Sequence, residues 1–163
     1  MIKNRKEEKK VLILHNIRSV INVGAIFRTA DAIGISKIYL TGYTPAPIDR
    51  FKRKRQDFAK AALGAEETVI WEQTKNPVSL VQRLKKDGFK IVALEQSSNS
   101  TDYKKVNYSS SMAILVGNEV LGVPSEILDV CDVVAEIPMC GQKESLNVSV
   151  ATGIFLFRVL DKK

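Results

Sequence analysis

The stretch NVGAIFRTADAIG, residues 22–34, frames the reading of the whole chain. Val23, Ile26, Phe27, Ala30 and Ile33 recur at helical spacing and make one apolar stripe. Gly24, Arg28 and Asp31 fall on the opposite side. Asn22 is placed to cap the start of this helix and Gly34 to stop it. The segment therefore predicts a helix that buries one face and offers an arginine on the other. Two later stretches share its loop-then-helix grammar and its polar, glycine-bearing vocabulary: ILVGNEVLGVPSEI (114–127) and IPMCGQKESLNVSVATG (137–153).

Around these segments, short apolar runs alternate with amphipathic ones. VLIL (11–14), KIYL (37–40), TVIW (68–71), KIVAL (90–94), AILVG (113–117) and VVAEI (133–137) read as strands. Several are apolar on both faces, as buried parallel strands are. Helices fit residues 22–33, about 53–62, 77–87, 124–130 and 147–160. The alternation predicts an α/β fold with a mostly parallel sheet covered by helices on both sides. In such sheets ligands sit at the carboxyl ends of the strands. Three loops at such ends carry Gly, Asn, Ser or Glu: the loop after Leu94, Gly117–Gly122 and Pro138–Ser145. Together they suit a nucleoside-like ligand. No GxGxxG follows the first strand, and GNEVLG lacks the Lys-Ser/Thr pair of a phosphate loop, so a dinucleotide or nucleoside triphosphate is disfavoured.

The 163 residues suit one domain, 1–163, with a short basic and flexible head over residues 1–10. No run approaches the roughly 20 apolar residues of a membrane span, and MIKNRKEEKK followed by VLIL is no secretory signal. The expectation is a cytoplasmic protein with no membrane partner. Cys131 and Cys140 are read as small buried hydrophobes, and His15, the one histidine, as a hydrogen-bonded structural residue. No CxxC or HxxxH spacing suggests a metal. The net charge of +7 suits a polyanion. RFKRKR (50–55) gathers Arg50, Lys52, Arg53, Lys54 and Arg55 around Phe51, as a solvated loop or helix start or as a phosphate-tracking, RNA-binding patch. The final helix, with Val148, Val150, Ile154, Phe155, Phe157 and Val159, has almost no polar face, which predicts cover from a second subunit.

The three quoted segments, in this order, resemble the motifs of the SpoU (TrmH-like) branch of the SPOUT RNA 2′-O-methyltransferases. The resemblance runs from about Leu14 to Leu160, and SLNVSVA after IPM is its most specific string. It implies a Rossmann-like sheet whose C-terminal segment forms a deep trefoil knot, a homodimer built through the knot and final helix, and S-adenosyl-L-methionine as cofactor. It places Leu94, Gly117, Ile137, Met139 and Leu146 around that cofactor. It also carries over Asn22, Arg28, Glu119, Ser145 and Asn147 as catalytic candidates. Arg28 would act as a base or, since guanidinium stays protonated, as a fork gripping a phosphate. Glu119 either takes part in catalysis or ties two loops together by accepting backbone N–H bonds. Ser145 likewise is catalytic or caps the final helix region. The implied substrate is tRNA, with rRNA as the alternative. A knotted RNA-binding module without activity, and an α/β protein binding another nucleoside, are the rival readings.

Overall fold

A computed structural model of the chain describes residues 8–108 and 111–160; most of the expected basic head lies outside them. Seven strands form one sheet in the order β3-β2-β1-β6-β4-β7-β5, and every neighbouring pair is parallel. The central strands β1 (Lys10–His15), β2 (Lys37–Thr41), β4 (Lys90–Leu94) and β6 (Met112–Val116) are largely or wholly buried. Successive side chains point to opposite faces, so each strand feeds two cores. Leu12, Leu14, Ile38, Leu40, Ile114 and Val116 face one core. It is closed by helices α1 (Val20–Ile33), α2 (Gln56–Ala62) and α6 (Val148–Leu160). Val11, Ile13, Ile91, Ala93 and Leu115 face the other core, under α4 (Pro77–Lys86) and α5 (Ser125–Leu128). The doubly covered parallel sheet is the one the apolar runs predict.

Three details differ from the sequence reading. TVIW is not a strand. Thr68 ends a short helix, α3 (Ala65–Thr68), Val69 closes it, and only Trp71 enters β3 (Trp71–Thr74). As an edge strand with half-exposed faces, β3 does not need an unbroken apolar run. A two-residue strand, β5 (Thr101–Asp102), extends the sheet beyond β7 (Val133–Glu136) from within what reads as loop. Residues 53–55 precede α2 instead of opening it, because Ile48 and Lys54 bridge as antiparallel partners across a tight turn.

The helix that framed the reading also starts earlier than expected. Ser19, not Asn22, is its N-cap, and its hydroxyl accepts the Asn22 N–H at 3.2 Å. Gly34 ends it as predicted, in the left-handed conformation with φ 77°. Gly24 is not on a solvent face. A Cβ there would collide with Ala61 and come within 3.0 Å of the Ala62 nitrogen, so the glycine is what lets α1 and α2 approach. His15 is buried and its Nδ1 lies 2.9 Å from the Thr41 hydroxyl, as a structural histidine should. Cys131 is largely buried, and burial pushes its thiol up to about 11. Cys140, by contrast, is exposed, contrary to the buried reading.

Candidate active site

A cleft opens over the carboxyl ends of β4, β6 and β7. All five residues expected around a cofactor line it: Leu94, Gly117, Ile137, Met139 and Leu146. They reach it because β4 ends at Leu94, β6 at Val116 and β7 at Glu136, so the chain leaves the sheet at three adjacent points. Val148 and Ala151 from the first turns of α6 complete the apolar wall. Three carboxylates, Glu95, Glu119 and Glu136, stand on the same cleft. The lining is thus apolar enough for an adenine and acidic enough for a cationic ligand group. Gly117 has no room for a side chain, since a Cβ there would lie 2.6 Å from Val123 Cγ2 and 2.8 Å from the Gly122 carbonyl.

The three motifs meet beside this cleft. Asn147 Nδ2 donates to Asn22 Oδ1 at 3.2 Å, and Asn22 Nδ2 donates to Glu119 Oε1 at 3.1 Å. Glu119 also accepts the Arg18 N–H at 3.1 Å and the Ser19 N–H at 3.3 Å. The carboxylate thus binds donors at the entrance to α1, where the helix dipole favours negative charge. Burial alone would raise its pKa. Hydrogen bonds from the Arg18, Glu119 and Ser19 backbone and from Asn22 outweigh that and hold it below the ordinary carboxyl value. Glu119 therefore makes the backbone contacts that a tie between two loops requires. Asn147 carries the capping role that was offered to Ser145: its Oδ1 accepts the Ser149 N–H at 2.9 Å and the Ser149 hydroxyl at 2.6 Å at the start of α6. Ser145 instead lines the cleft.

Arg28 stands apart from this group. It is exposed, does not line the cleft, and has no side-chain partner among the described residues. It lies six residues beyond Asn22, about 9 Å further along the α1 axis. The basic turn is also more engaged than its composition suggests. Arg53 pairs with Asp49 at 2.8 Å, Lys54 with Glu67 at 2.7 Å and Arg55 with Asp57 at 2.7 Å. The guanidiniums of Arg50 and Arg53 lie 4.7 and 5.1 Å from the Phe51 ring centre. Asp49 builds the turn by accepting the Phe51 and Arg53 N–H groups.

Four polar residues of the site were missed in the sequence: Glu95, Gln96, Asn118 and Glu136. Each lies at or just beyond a strand's carboxyl end, and that position was the available signal.

A parallel sheet with an amphiphilic, acid-bearing cleft over adjacent strand ends defines the class of α/β proteins that hold a nucleoside-like ligand there. Residues 9–157 match the SpoU rRNA Methylase family, and the chain belongs to it. A tRNA (guanosine(18)-2′-O)-methyltransferase of Aquifex aeolicus is 35% identical over 153 residues, covering 94% of this chain and 69% of the relative. Among solved structures, a TrmH/SpoU tRNA modifying enzyme of A. aeolicus superposes with a TM-score of 0.83 at 32% identity, over 95% of this chain and 75% of that one. An AdoMet-bound rRNA methyltransferase of Sinorhizobium meliloti gives a TM-score of 0.83 at 31% identity, over 94% of this chain and 56% of that one. The chain therefore spans from about half to three quarters of the length of these relatives.

Proposed function

We propose that this protein transfers a methyl group from S-adenosyl-L-methionine to a ribose 2′-hydroxyl of tRNA. The observation that carries the reading is the meeting of Asn22, Glu119 and Asn147, one from each family motif, beside a cleft lined by all five expected cofactor residues. The cofactor supplies an electrophilic methyl on a sulfonium centre. In the reaction the 2′ oxygen bonds to that methyl carbon, the carbon–sulfur bond breaks, and the hydroxyl proton leaves to solvent. Leu94, Ile137, Met139 and Leu146 would hold the adenosine part and exclude water. The acidic lining favours the cationic sulfonium over its neutral thioether product. Arg28 serves as the fork that grips a neighbouring phosphate and aims the hydroxyl. Among the exposed basic residues of the turn, Arg50 and Lys52 are left without a carboxylate partner among those described, and they are the stronger candidates for tracking the RNA backbone.

Two further elements belong to this reading. The trefoil knot is supported by the return of the segment after β7 to the loop after β4, where Gln96 Nε2 donates to Glu144 O at 2.8 Å before α6 docks on α1. The homodimer is supported by an apolar stripe left open on α6 and by exposed Ile21 on α1. Ile21 and Arg28 are seven residues apart on α1 and share a face. A partner covering Ile21 would therefore also lie close to Arg28. We assign the activity to the cytoplasm, where tRNA is available.

The test is methyl transfer from labelled cofactor to tRNA isolated from cells lacking the gene, with the product mapped for 2′-O-methyl ribose. Wild-type protein labels the RNA. Arg28→Ala keeps its fold and cofactor affinity and loses at least roughly a hundredfold in turnover, the scale on which orientation acts. Wild-type turnover in that variant, or label that appears on a base, would refute the assignment.

A further inference from the structure

The strand ends of β1 and β2 carry side chains outside the cofactor cleft, and they meet Asn118, which lines it. Asn16 follows β1, Gly42 and Tyr43 follow β2, and Asn118 follows β6. Asn118 Nδ2 donates to the Asn16 carbonyl and to the Tyr43 hydroxyl oxygen, both at 2.9 Å. Asn118 Oδ1 accepts the N–H groups of Val120 and Leu121 at 2.9 and 2.8 Å. Asn16 Oδ1 accepts the Tyr43 N–H at 3.1 Å. The backbone is left-handed at Asn16, with φ 54°, and at Gly42, with φ 62°. A Cβ at Gly42 would collide with the Asn16 side chain. Two unusual backbone conformations and one almost buried amide thus hold this corner in a single arrangement.

What the corner holds out is an aromatic ring. Tyr43 is 57% exposed, although both its backbone and its hydroxyl are fixed. An exposed tyrosine that packs on nothing usually has a free hydroxyl and several rotamers. This one is tethered at both ends with its ring open to solvent. Its place in the topology matters as much. From β1 the chain proceeds outward to β2 and β3, whereas β6 feeds β7 on the other side, so the strand order reverses between β1 and β6. Ligands of open α/β sheets bind at that crevice. The Asn118–Asn16 bond spans it. Asn118 and its two neighbours, Gly117 and Glu119, line the cofactor cleft. One amide side chain therefore couples the ring to the methyl-transfer site.

We propose that Tyr43 is a stacking platform for a nucleobase of the RNA substrate, and that Asn118 is the positioning residue that holds its ring against the cleft-lining loop. The inference rests on the methyl-transfer reading above. A phenol face takes any base, so this contact orients the substrate nucleotide without selecting its identity, and Val120 and Leu121, both largely exposed, offer apolar contact on the loop that Asn118 fixes.

The experiment compares Tyr43→Ala, Tyr43→Leu, Tyr43→Phe and Tyr43→Trp with wild type. Three quantities are read: KM for tRNA in methyl transfer, filter binding of the same tRNA, and cofactor affinity by calorimetry. The expected result is a KM and a tRNA dissociation constant raised roughly tenfold or more in Ala and Leu, the size of one lost base–aromatic stack. Phe and Trp keep a ring of the kind stacking requires but lose the bond from Asn118, so their values rise clearly less than those of Leu, by about threefold. Cofactor affinity is unchanged in all four. The proposal is overturned if Leu matches Phe, or if Ala binds tRNA as wild type does. It is equally overturned if cofactor affinity falls in step with RNA binding, which would make Tyr43 a support of the loop. Should Ala fail to fold, the Leu–Phe contrast decides. Should wild type bind tRNA without methylating it, the substrate reading fails, while filter binding still decides the stack.

Discussion

At the scale of single residues, Glu119 shows how a motif acid can organise the backbone around its site. Its carboxylate gathers the Arg18 and Ser19 N–H groups and the Asn22 amide, so it fixes the entrance of α1 relative to the loop after β6. Removing it leaves those donors to water, because the residue is mostly exposed. The loss in Glu119→Gln should be about 1 kcal/mol, well below the value of buried charged bonds. The pH dependence has a definite sign. A carboxyl whose folded pKa is depressed stabilises the fold above its unfolded value, about 4.3, and loses that contribution as pH falls through the folded value. Denaturant unfolding should therefore show a constant gap between wild type and Glu119→Gln from pH 5 to 7. The gap should close below pH 4. A gap that widens on acidification would mean that the hydrogen bonds do not govern this carboxylate.

At the scale of elements, α1 depends on a glycine that its own periodicity misassigns. Placed alone on a helical wheel, Gly24 falls with Arg28 and Asp31. In the fold it lies under α2, with Ala61 and Ala62 against it. In an open helix Gly→Ala gains about 1 kcal/mol. Here the new methyl meets the α2 backbone, and overpacking of this kind costs about 1–3 kcal/mol. Thermal unfolding of Gly24→Ala should show a lowered Tm; a raised one would mean that α2 shifts aside cheaply. The same contrast marks what the chain declares of itself. Fully buried strands such as β1 and β6 are legible, because burial on both faces demands unbroken apolar runs. The edge strands β3 and β5 are not, because one open side relaxes that demand. The lining residues Leu94, Gly117 and Met139 are legible through family likeness, whereas the place of Glu95 and Glu136 depends on where β4 and β7 end. The bond from Asn147 to Asn22 spans 125 residues, and no local pattern predicts a contact at that separation.

At the scale of the whole molecule, the final helix leaves a debt that its own chain does not settle. Phe155 is fully buried against Tyr103 and Tyr108, while Phe157 remains 54% exposed. Val150, Ile154 and Phe157 follow one another at four and three residues, so they form a single open stripe. A soluble chain rarely leaves such a stripe uncovered. A two-fold partner presenting the same stripe would bury both. Light scattering should therefore report about twice 18.1 kDa, and Ile154→Glu should return the chain to its monomer mass with loss of methyl transfer. Arg28 shares a face with Ile21 and does not line the cleft of its own chain, so a dimer built on that face raises the question of which copy's substrate it serves. A mixed dimer tests this. One chain carries Arg28→Ala with its cleft intact; the other keeps Arg28 but has Met139→Trp filling its cleft. Each homodimer should be inactive. If the arginine acts across the interface, mixing restores one working site per heterodimer, because the intact cleft of the first chain meets the intact Arg28 of the second. If it acts within its own chain, no site in the mixture has both parts and activity stays absent. Restored turnover of about one quarter of wild type is expected, since half of randomly exchanged dimers are mixed and each carries one of two sites. Absence of activity after confirmed subunit exchange would place Arg28 and the cleft in the same copy.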